Sequence, residues 1–273
     1  MGSTKPAPPD RKKLAVRTLT NVSLRRQGIV QWCLPFFWFA AITHSCVAQI
    51  RVDATTNPYV SMVKLRTVAD GRRFHGSGSI VGNRYLFTNA HNVHEKDSLY
   101  IYPGCNETND APFGRIGVKC ERGVTTFYPD EFLGREGDAY DFAIVVLDKS
   151  TWSRVRRETN AAPLALDAHT AHRFNTIRIS GYPVHRWFEF KKDRGTVQYE
   201  NSTSSYKIHA NGLIDYRMNA RGGNSGSPLW IVSDDGRVTV IGLHKSGFGK
   251  QNQGVLLDAE KLGRINSWIE GNP

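Results

Sequence analysis

The feature that most constrains this chain is a succession of short apolar runs, separated by turn residues, that begins at Arg51. Runs of this kind are typical of β-strands, and almost no sustained helical period occurs before the C-terminus. The pattern therefore predicts an all-β fold. The predicted strands are 59–66, 76–81, 85–89, 99–102, 142–147, 176–180, 196–199, 213–216, 228–232, 238–243 and 254–257.

Two dipeptides and one amphipathic segment add local detail to this pattern. Gly82-Asn83 and Asp235-Gly236 are typical of hairpin turns between adjacent strands. Residues 259–270 place apolar side chains at helical spacing, which predicts one amphipathic helix. We expect this helix to pack onto the second half of the fold, with Trp268 in its core.

The order of these segments predicts two domains after an N-terminal leader. The stretch 149–172 is polar and rich in Arg and Ala, which is typical of a linker. We therefore predict a leader at 1–50, an N-terminal β-domain at 51–160 and a C-terminal β-domain at 161–273 that ends in the helix. The length and the 40% hydrophobic content are sufficient for such a core.

The leader has the composition of a secretory signal. Residues 1–26 contain seven Lys or Arg and one acid, and the apolar stretch 29–42 is too short for a comfortable bilayer span. Small residues then precede a predicted cleavage site near Ala48, with Ser45 as a second candidate. The prediction is a secreted protein, extracellular or periplasmic. The alternative is a membrane-anchored form that retains 29–42.

Loss of this leader changes what the charge implies. About six of the eleven formal positive charges leave with residues 1–26, so the remaining chain is only mildly basic. Its Lys and Arg residues are scattered, and no nucleic-acid-binding signature is present. We therefore expect no nucleic-acid partner, and after signal cleavage we expect no stable membrane association.

Cysteine usage agrees with an oxidising compartment. Cys105 and Cys120 bracket a polar loop, which predicts one disulfide, the alternative being two reduced thiols. Asn106 and Asn201 fit the glycosylation acceptor pattern, which is common by chance. The sequence contains no metal-type cluster of Cys or His, and we expect neither a metal nor a cofactor.

A glycine-rich turn carries the candidate nucleophile. The segment 222–228 reads Gly-Gly-Asn-Ser-Gly-Ser-Pro and holds Ser225 where backbone N–H groups can crowd around a reacting carbonyl. A serine hydroxyl needs a histidine base and a carboxylate that orients it. His91 ends one predicted strand and Asp141 opens another. Asp138 and Asp148 are competing acids, but Asp141 enters the apolar run where burial would hold its carboxylate against His91.

The motifs together resemble chymotrypsin-fold serine endopeptidases, and within them the bacterial-type glutamyl endopeptidase group. The chain order His91, Asp141, Ser225 is the order of that fold. The resemblance implies two six-stranded antiparallel barrels with this triad in the cleft between them. It also implies that the backbone N–H groups of Gly223 and Ser225 form an oxyanion hole. The segments that carry it are 88–91, 141–147, 181–183, 222–228, 241–244 and 254–257.

The same resemblance implies a pocket for an acidic substrate side chain. In this group a histidine that corresponds to His244 binds the acid, and a hydroxyl residue usually helps where this chain has Ala220. Further candidates for binding substrate are Asn219, Arg221, Lys245, Ser246 and Gly247. Asn219 lies at the expected pocket base without a charge, and 245–247 should pair with extended substrate. The alternative for His244 is a buried structural histidine.

The activation of the enzyme is expected to differ from that of trypsin. Asn224 stands where trypsin-like zymogens have an aspartate that pairs with a new N-terminus. The Arg51-Val52 bond is a candidate cleavage site, and in the glutamyl group the mature N-terminal amine assists the binding of acidic substrates.

Two classes of function follow from these patterns. The first is a secreted, monomeric serine endopeptidase that acts on proteins or peptides and prefers Glu or Asp before the scissile bond. The second is a catalytically silent protease homologue that binds a protein or a polyanion. The intact set of candidate triad residues favours the first.

Overall fold

The computed structural model describes residues 49–107, 109–134, 138–168, 175–184, 195–248 and 251–273, so the predictions for 1–48 lie outside the described residues. No helix within these ranges is long and apolar enough to cross a bilayer. The strands are, in chain order, β1 (Ile50–Arg51), β2 (Met62–Ala69), β3 (Arg72–Val81), β4 (Tyr85–Thr88), β5 (Ser98–Tyr102), β6 (Ile116–Lys119), β7 (Thr126–Phe127), β8 (Ala143–Val146), β9 (Ala165–Leu166), β10 (Ile177–Gly181), β11 (Tyr199–Thr203), β12 (Tyr206–Ile208), β13 (Leu213–Arg217), β14 (Pro228–Val232), β15 (Val238–Phe248) and β16 (Gln251–Leu256). The α-helices are α1 (Lys149–Thr159) and α2 (Ala259–Glu270).

The first sheet contains seven of the described strands in the order β6-β5-β2-β3-β4-β8-β7, and every pair is antiparallel. One face of the sheet encloses a core that includes Leu65, Leu86 and Ile101. Successive side chains of a strand point to opposite faces, so the neighbours of Leu86, Tyr85 and Phe87, lie in a different buried cluster on the other face.

The second sheet contains nine described strands in the order β1-β11-β10-β14-β15-β16-β13-β12, with β9 paired to β15 off this path. All its pairs are antiparallel except β9 with β15. In each sheet six of the described strands have four or more residues, and the remainder are shorter. The structure therefore confirms the all-β fold class, with two antiparallel sheets and a C-terminal helix.

A shared core joins the two sheets. Phe87 lies in β4 and Phe142 directly precedes β8. Both pack in one buried cluster with Trp230 and Leu243 of the second sheet. Burial of a large apolar side chain contributes about 1.5–3 kcal/mol. The same cluster therefore stabilises both sheets and fixes the cleft between them, where the candidate site lies.

Helix α2 has the predicted bounds but a wider footprint than predicted. Ile265 is buried in the cluster that both sheets share, and the ring of Trp268 lies 5.9 Å from that of Phe142. The Tyr85 hydroxyl, on the first sheet, lies 3.1 Å from the carbonyl oxygen of Ile269. The helix thus packs across both sheets and not onto the second half alone, because aromatic side chains of β4 and of the start of β8 reach it.

Helix α1 replaces the first part of the predicted linker. Asp148 caps its N-terminus by accepting a hydrogen bond from the Thr151 N–H at 2.8 Å, and Asn160 ends it in a left-handed conformation. Trp152 and Val155 are buried on one face. The linker prediction for 149–172 did not include a helix, because the Arg-rich composition concealed this capped, one-faced pattern.

The predicted disulfide is also wrong, since Cys105 and Cys120 are both free thiols. Strands β5 and β6 form an antiparallel pair in which Ser98 lies opposite Lys119. Cys120 therefore lies at one end of the pair and Cys105 beyond the other, and β5 alone spans about 17 Å between them. A disulfide needs Cα atoms within about 7 Å. Burial raises the pKa of each thiol to about 11.

Candidate active site

The turn that carries Ser225 lies between β13 and β14 and is fixed by main-chain hydrogen bonds. The Gly226 N–H donates to the carbonyl of His244 at 2.9 Å, and the His244 N–H donates to the carbonyl of Ser227 at 2.8 Å. A third bond, from the Ser227 N–H to the Asn224 carbonyl, closes the turn at 2.8 Å. The turn is therefore attached to β15 on one side.

On its other side the same turn packs against the first sheet. Gly226 has φ +85°, and a Cβ placed on it would lie 2.2 Å from both the Ser77 carbonyl oxygen and the Thr88 hydroxyl. A Cβ on Gly181, at the end of β10 in the second sheet, would lie 1.9 Å from the Ser227 hydroxyl and 2.9 Å from the Ser77 hydroxyl of the first sheet. Only glycine permits this approach of backbones. The two glycines thus bring the serine turn against the strands that lead to His91.

The candidate base and acid form a close pair. His91 lies in a short 3-10 helix, Ala90–Asn92, directly after β4. Its Nδ1 lies 2.7 Å from Asp141 Oδ2, and its backbone N–H donates to Oδ1 of the same carboxylate at 3.0 Å. Asp141 is almost fully buried, whereas the His91 side chain is 38% exposed. The imidazole is thus held at Nδ1 with its other edge toward the cleft.

The two competing acids have other partners. Asp138 accepts the Leu133 N–H at 2.7 Å and the Tyr140 N–H at 2.9 Å, and so organises its own loop. Asp148 caps α1, and hydrogen bonds from Ser150 and Thr151 lower its pKa to about 2. Neither acid is bonded to the imidazole among the contacts that the structure describes.

Ser225 lies next to the short helix that carries His91. The Asn92 side-chain amide donates to the Ser225 carbonyl at 3.1 Å. The Ser225 hydroxyl itself donates to the carbonyl of Lys245 at 3.2 Å. No hydrogen bond between this hydroxyl and His91 occurs among the described contacts. Such contacts are often loose without substrate and tighten when it binds.

The predicted oxyanion donors, Gly223 and Ser225, have no acceptor for their N–H groups within the part of the chain that the structure describes. The carbonyl of Gly222 accepts a hydrogen bond from the Val184 N–H at 2.7 Å. Because the peptide bond between Gly222 and Gly223 is trans, the N–H of Gly223 points away from that carbonyl. Gly223 has φ +92°, and its own carbonyl accepts the Ser77 hydroxyl at 2.8 Å.

His244 is buried and neutral. Its side chain lies on β15 with 2% exposure, and its Nδ1 is 2.5 Å from the Tyr216 hydroxyl. Burial, and secondarily the charge of His91, lower its pKa to about 3. Burial also raises the pKa of Tyr216 well above its usual value, which keeps the phenol protonated. His244 is therefore a neutral hydrogen-bonding group, in contrast to a fixed positive charge.

The remaining predicted pocket residues divide by exposure. Ala220 and Lys245 are buried, whereas Ser246 and Gly247 are exposed. Lys245 is the position at which the pairing of β15 with β16 shifts register, and such a bulge re-aims the backbone. The shift explains why the Lys245 carbonyl faces the Ser225 hydroxyl.

Two residues at the expected pocket base are held through their carbonyls. The Asn219 carbonyl accepts the side-chain amide of Gln49 at 2.6 Å, which places the segment before β1 beside this base. The Arg221 carbonyl accepts the Asn224 N–H at 3.1 Å. Arg221 therefore helps to shape the nucleophile turn through its main chain.

A cavity of about 890 Å³ lies on the second sheet and is bordered by Ser246, Gly247 and Tyr216. It adjoins the edge along which extended substrate is predicted to pair. No group of three or more His, Cys, Asp or Glu side chains suited to a metal occurs within the described residues. Asn201, one of the two glycosylation candidates, is 3% exposed.

Sequence reasoning missed three positioning residues. Ser77 bonds the Gly223 carbonyl through its hydroxyl and the Ser225 carbonyl through its N–H. Asn92 bonds the Ser225 carbonyl, and Tyr216 orients His244. Asn92 directly follows the predicted base, His91, in the sequence. This adjacency is the one sequence signal that could have identified Asn92.

The fold and the geometry of this site define a class, the chymotrypsin-like proteins with a hydrogen-bonded His–Asp pair beside a glycine-rich serine turn. The profile of the family described as "Trypsin-like peptidase domain" matches residues 76–243, more than half of the chain. The chain belongs to this family.

Curated relatives include glutamyl endopeptidases of two staphylococci. The protein from Staphylococcus epidermidis is 25% identical over 212 residues, which cover 76% of this chain and 66% of the relative. The protein from Staphylococcus aureus strain MW2 is 24% identical over 215 residues, which cover 77% and 58%. The chain thus spans about three fifths to two thirds of the length of these relatives.

Solved structures share the fold. A Glu endopeptidase in complex with MPD has a TM-score of 0.61 at 22% identity, covering 80% of this chain and 95% of the other. The protease Anisep from Arthrobacter nicotinovorans has a TM-score of 0.64 at 14% identity, covering 82% and 100%. An inactivated protease paralogue of the scabies mite has a TM-score of 0.56 at 15% identity, covering 82% and 98%.

Proposed function

We propose that this protein is a serine endopeptidase in which Ser225 is the nucleophile, His91 the general base and Asp141 the orienting carboxylate. One observation carries the proposal: the buried carboxylate of Asp141 contacts both the ring and the backbone N–H of His91, next to the turn that contains Ser225. Nucleophile, base and orienting group are the three parts that acyl transfer needs.

The reaction proceeds in two halves. His91 accepts the Ser225 proton as the hydroxyl attacks the scissile carbonyl, and then donates it to the leaving amine. Water, activated by the same imidazole, hydrolyses the acyl-enzyme. The Asp141 carboxylate orients the ring and stabilises the imidazolium. The N–H groups of Gly223 and Ser225 bind the oxyanion, and one such donor contributes about 3–4 kcal/mol to the transition state.

The preferred substrate has Glu or Asp before the scissile bond. In this proposal the Tyr216 phenol donates to Nδ1 of His244, which leaves the ring proton on Nε2 as a neutral donor to a carboxylate. Ala220 supplies no hydroxyl, so a second partner is needed. Cleavage after Ala48 places a new amine on Gln49, whose side chain already contacts Asn219 at the pocket base.

The basic leader directs the protein to secretion, and the product acts as a monomer on proteins or peptides. Cleavage at Arg51-Val52 is the second candidate for maturation. N-terminal sequencing of protein from the culture medium distinguishes Gln49, Val52 and a retained anchor as the start of the active chain.

The test is covalent labelling together with peptide cleavage. The secreted protein, purified from the medium, should react with a fluorophosphonate probe and cleave after Glu or Asp in a peptide library. Ser225→Ala should abolish both, and Ser204→Ala, an exposed serine between β11 and β12, should change neither. Full activity of Ser225→Ala refutes the proposal. If the protein is folded but is not labelled by the probe, the catalytically silent homologue is favoured. The inactivated scabies mite paralogue is such a protein with the same fold.

A further inference from the structure

A second, positively charged cavity lies on the first sheet, apart from the residues assigned above. Its volume is about 310 Å³, and it lies on the face shared by β2 and β3. We call it the basic pocket. It is lined by Lys64, Arg66, Arg73, His75, Asp110 and Thr196.

Within the described residues, the positive charges of the basic pocket are only partly balanced by a carboxylate. Lys64 has a side chain that is only 1% exposed, and its described carboxylate partner is Asp110, at 3.4 Å and itself 52% exposed. Arg66 and Arg73 have no carboxylate partner among the described residues. A buried ammonium group with one distant, solvated partner is costly, and an incoming anion offsets that cost.

The surroundings of Lys64 agree with an excess of positive charge. Lys64 and Arg66 both lie over the ring of Tyr102, at 5.4 and 5.5 Å from its centre. Burial, followed by the charges of Lys64 and Arg66, lowers the pKa of His75. His75 is therefore a neutral donor or acceptor at the rim of the pocket.

The basic pocket adjoins the proposed oxyanion hole. His75 lies two residues before Ser77 on β3 and points to the same face, about 7 Å along the strand. Ser77 is the residue that bonds the carbonyls of Gly223 and Ser225. A Cβ on Gly195 would lie 3.8 Å from His75 Nδ1 and 3.5 Å from the Tyr182 carbonyl oxygen. The same oxygen would lie 2.4 Å from a Cβ on Gly223, so the contacts are continuous.

The basic pocket lies on one side of Ser225. That side determines which part of a bound substrate contacts the pocket. Ser225 is bonded through its hydroxyl to β15, at the Lys245 carbonyl, and through its carbonyl to β3, at the Ser77 N–H. The acyl part of the substrate is predicted to pair with 245–247 of β15. The leaving part therefore extends from Ser225 past Ser77 toward His75 and Arg73.

We infer that the basic pocket binds an acidic side chain of the substrate, two or three residues after the scissile bond. An extended peptide advances about 3.4 Å per residue, so its second and third leaving-group residues reach the position of His75. Lys64, Arg66 and Arg73 then bind the carboxylate. This inference rests on the proposed endopeptidase activity.

The test compares matched internally quenched peptides that differ only after the cleaved bond. The purified wild-type chain should cleave a peptide with Glu at the second or third leaving position with kcat/KM about tenfold above that of the Gln peptide. Arg66→Ala/Arg73→Ala should reduce this ratio to about one. Arg157→Ala, which removes a charge from the exposed face of α1, should keep it.

A second variant is expected to change the Glu-to-Gln ratio in the opposite direction, which a general loss of structure would not do. Asp110→Asn removes the one carboxylate of the pocket and should raise the Glu-to-Gln ratio above that of wild type. Equal rates for the two wild-type peptides, or a ratio unchanged by the double arginine variant, overturn the inference while leaving the protease proposal intact. Failure of fluorophosphonate labelling and of all peptide cleavage overturns the proposed function and this inference with it.

Discussion

The carboxylate of Asp141 holds His91 at two points, the ring Nδ1 at 2.7 Å and the backbone N–H at 3.0 Å. One buried acid therefore fixes both the tautomer of the imidazole and the position of the short helix that carries it. If only the backbone were held, the ring would be free to rotate about its side-chain torsions and leave the cleft. The double contact makes Asp141 the most informative residue to change.

Asp141→Asn should lower kcat by about 10⁴-fold, because an amide favours the wrong tautomer and does not stabilise the imidazolium. The measurement is the hydrolysis rate of a Glu-containing peptide, with urea unfolding to show that the variant is folded. Asp138→Asn is the matched control, since that acid organises its own loop and not the imidazole. An equal loss in both variants would contradict the assignment.

Gly226→Ala should destabilise the protein by at least about 2 kcal/mol, because its Cβ meets the Ser77 carbonyl oxygen at 2.2 Å in addition to the strain of φ +85°. Gly236→Ala is the control: it has φ +82° with nothing within 4 Å, so only the strain, about 1 kcal/mol, remains. Urea unfolding measures both. Equal losses would show that the approach of Gly226 to the first sheet is not tight.

Acid should destabilise the fold through His244. Burial lowers its pKa to about 3, whereas an unfolded histidine titrates near 6.5, so between these values the unfolded chain binds the extra proton. The free energy of unfolding therefore falls as pH decreases from about 6.5 toward 3, with a contribution that approaches about 1.4 kcal/mol per pH unit. Urea unfolding from pH 7 to pH 4 measures this slope.

His244→Gln tests whether His244 causes the fall of the unfolding free energy as pH decreases. This variant should remove the contribution of His244. His94→Gln, a histidine whose side chain is 36% exposed, should retain it. A pH dependence that is identical in wild type and His244→Gln would show that His244 is accessible to protons in the folded state.

Reducing agents should leave the melting temperature unchanged, because Cys105 and Cys120 are separate thiols. Alkylation in denaturant without a reductant, followed by mass spectrometry of the peptides that contain them, should find both cysteines modified. Recovery of one disulfide-linked peptide pair would refute the free thiols and restore the pairing that the even count of cysteines favours.

The fold class followed from the sequence because strand length and turn residues are local signals. Helix α1 did not, because two buried side chains, Trp152 and Val155, are a weak signal among its arginines. The cysteine pairing failed for a different reason. It depends on the register of β5 with β6, which sequence separation between Cys105 and Cys120 does not determine.

The candidate site divides in the same way. His91, Asp141 and Ser225 stand out by sequence context, and their catalytic roles stay predictions that the variants above test. The role of Ser77 was hidden, because a serine within a Gly-Ser-Gly strand has no distinctive sequence signal. Its function arises only when Gly181 and Gly226 allow the two sheets to meet.

Ser77 also ties the chemistry to the integrity of the whole molecule. One residue of the first sheet contacts the main chain of both Gly223 and Ser225 in the second. Separation of the two sheets, by heat or by a molecule inserted between them, would misalign both proposed oxyanion donors before either sheet unfolds. Loss of turnover should consequently precede loss of secondary structure, and an inhibitor lodged at this seam would act without ever touching the nucleophile.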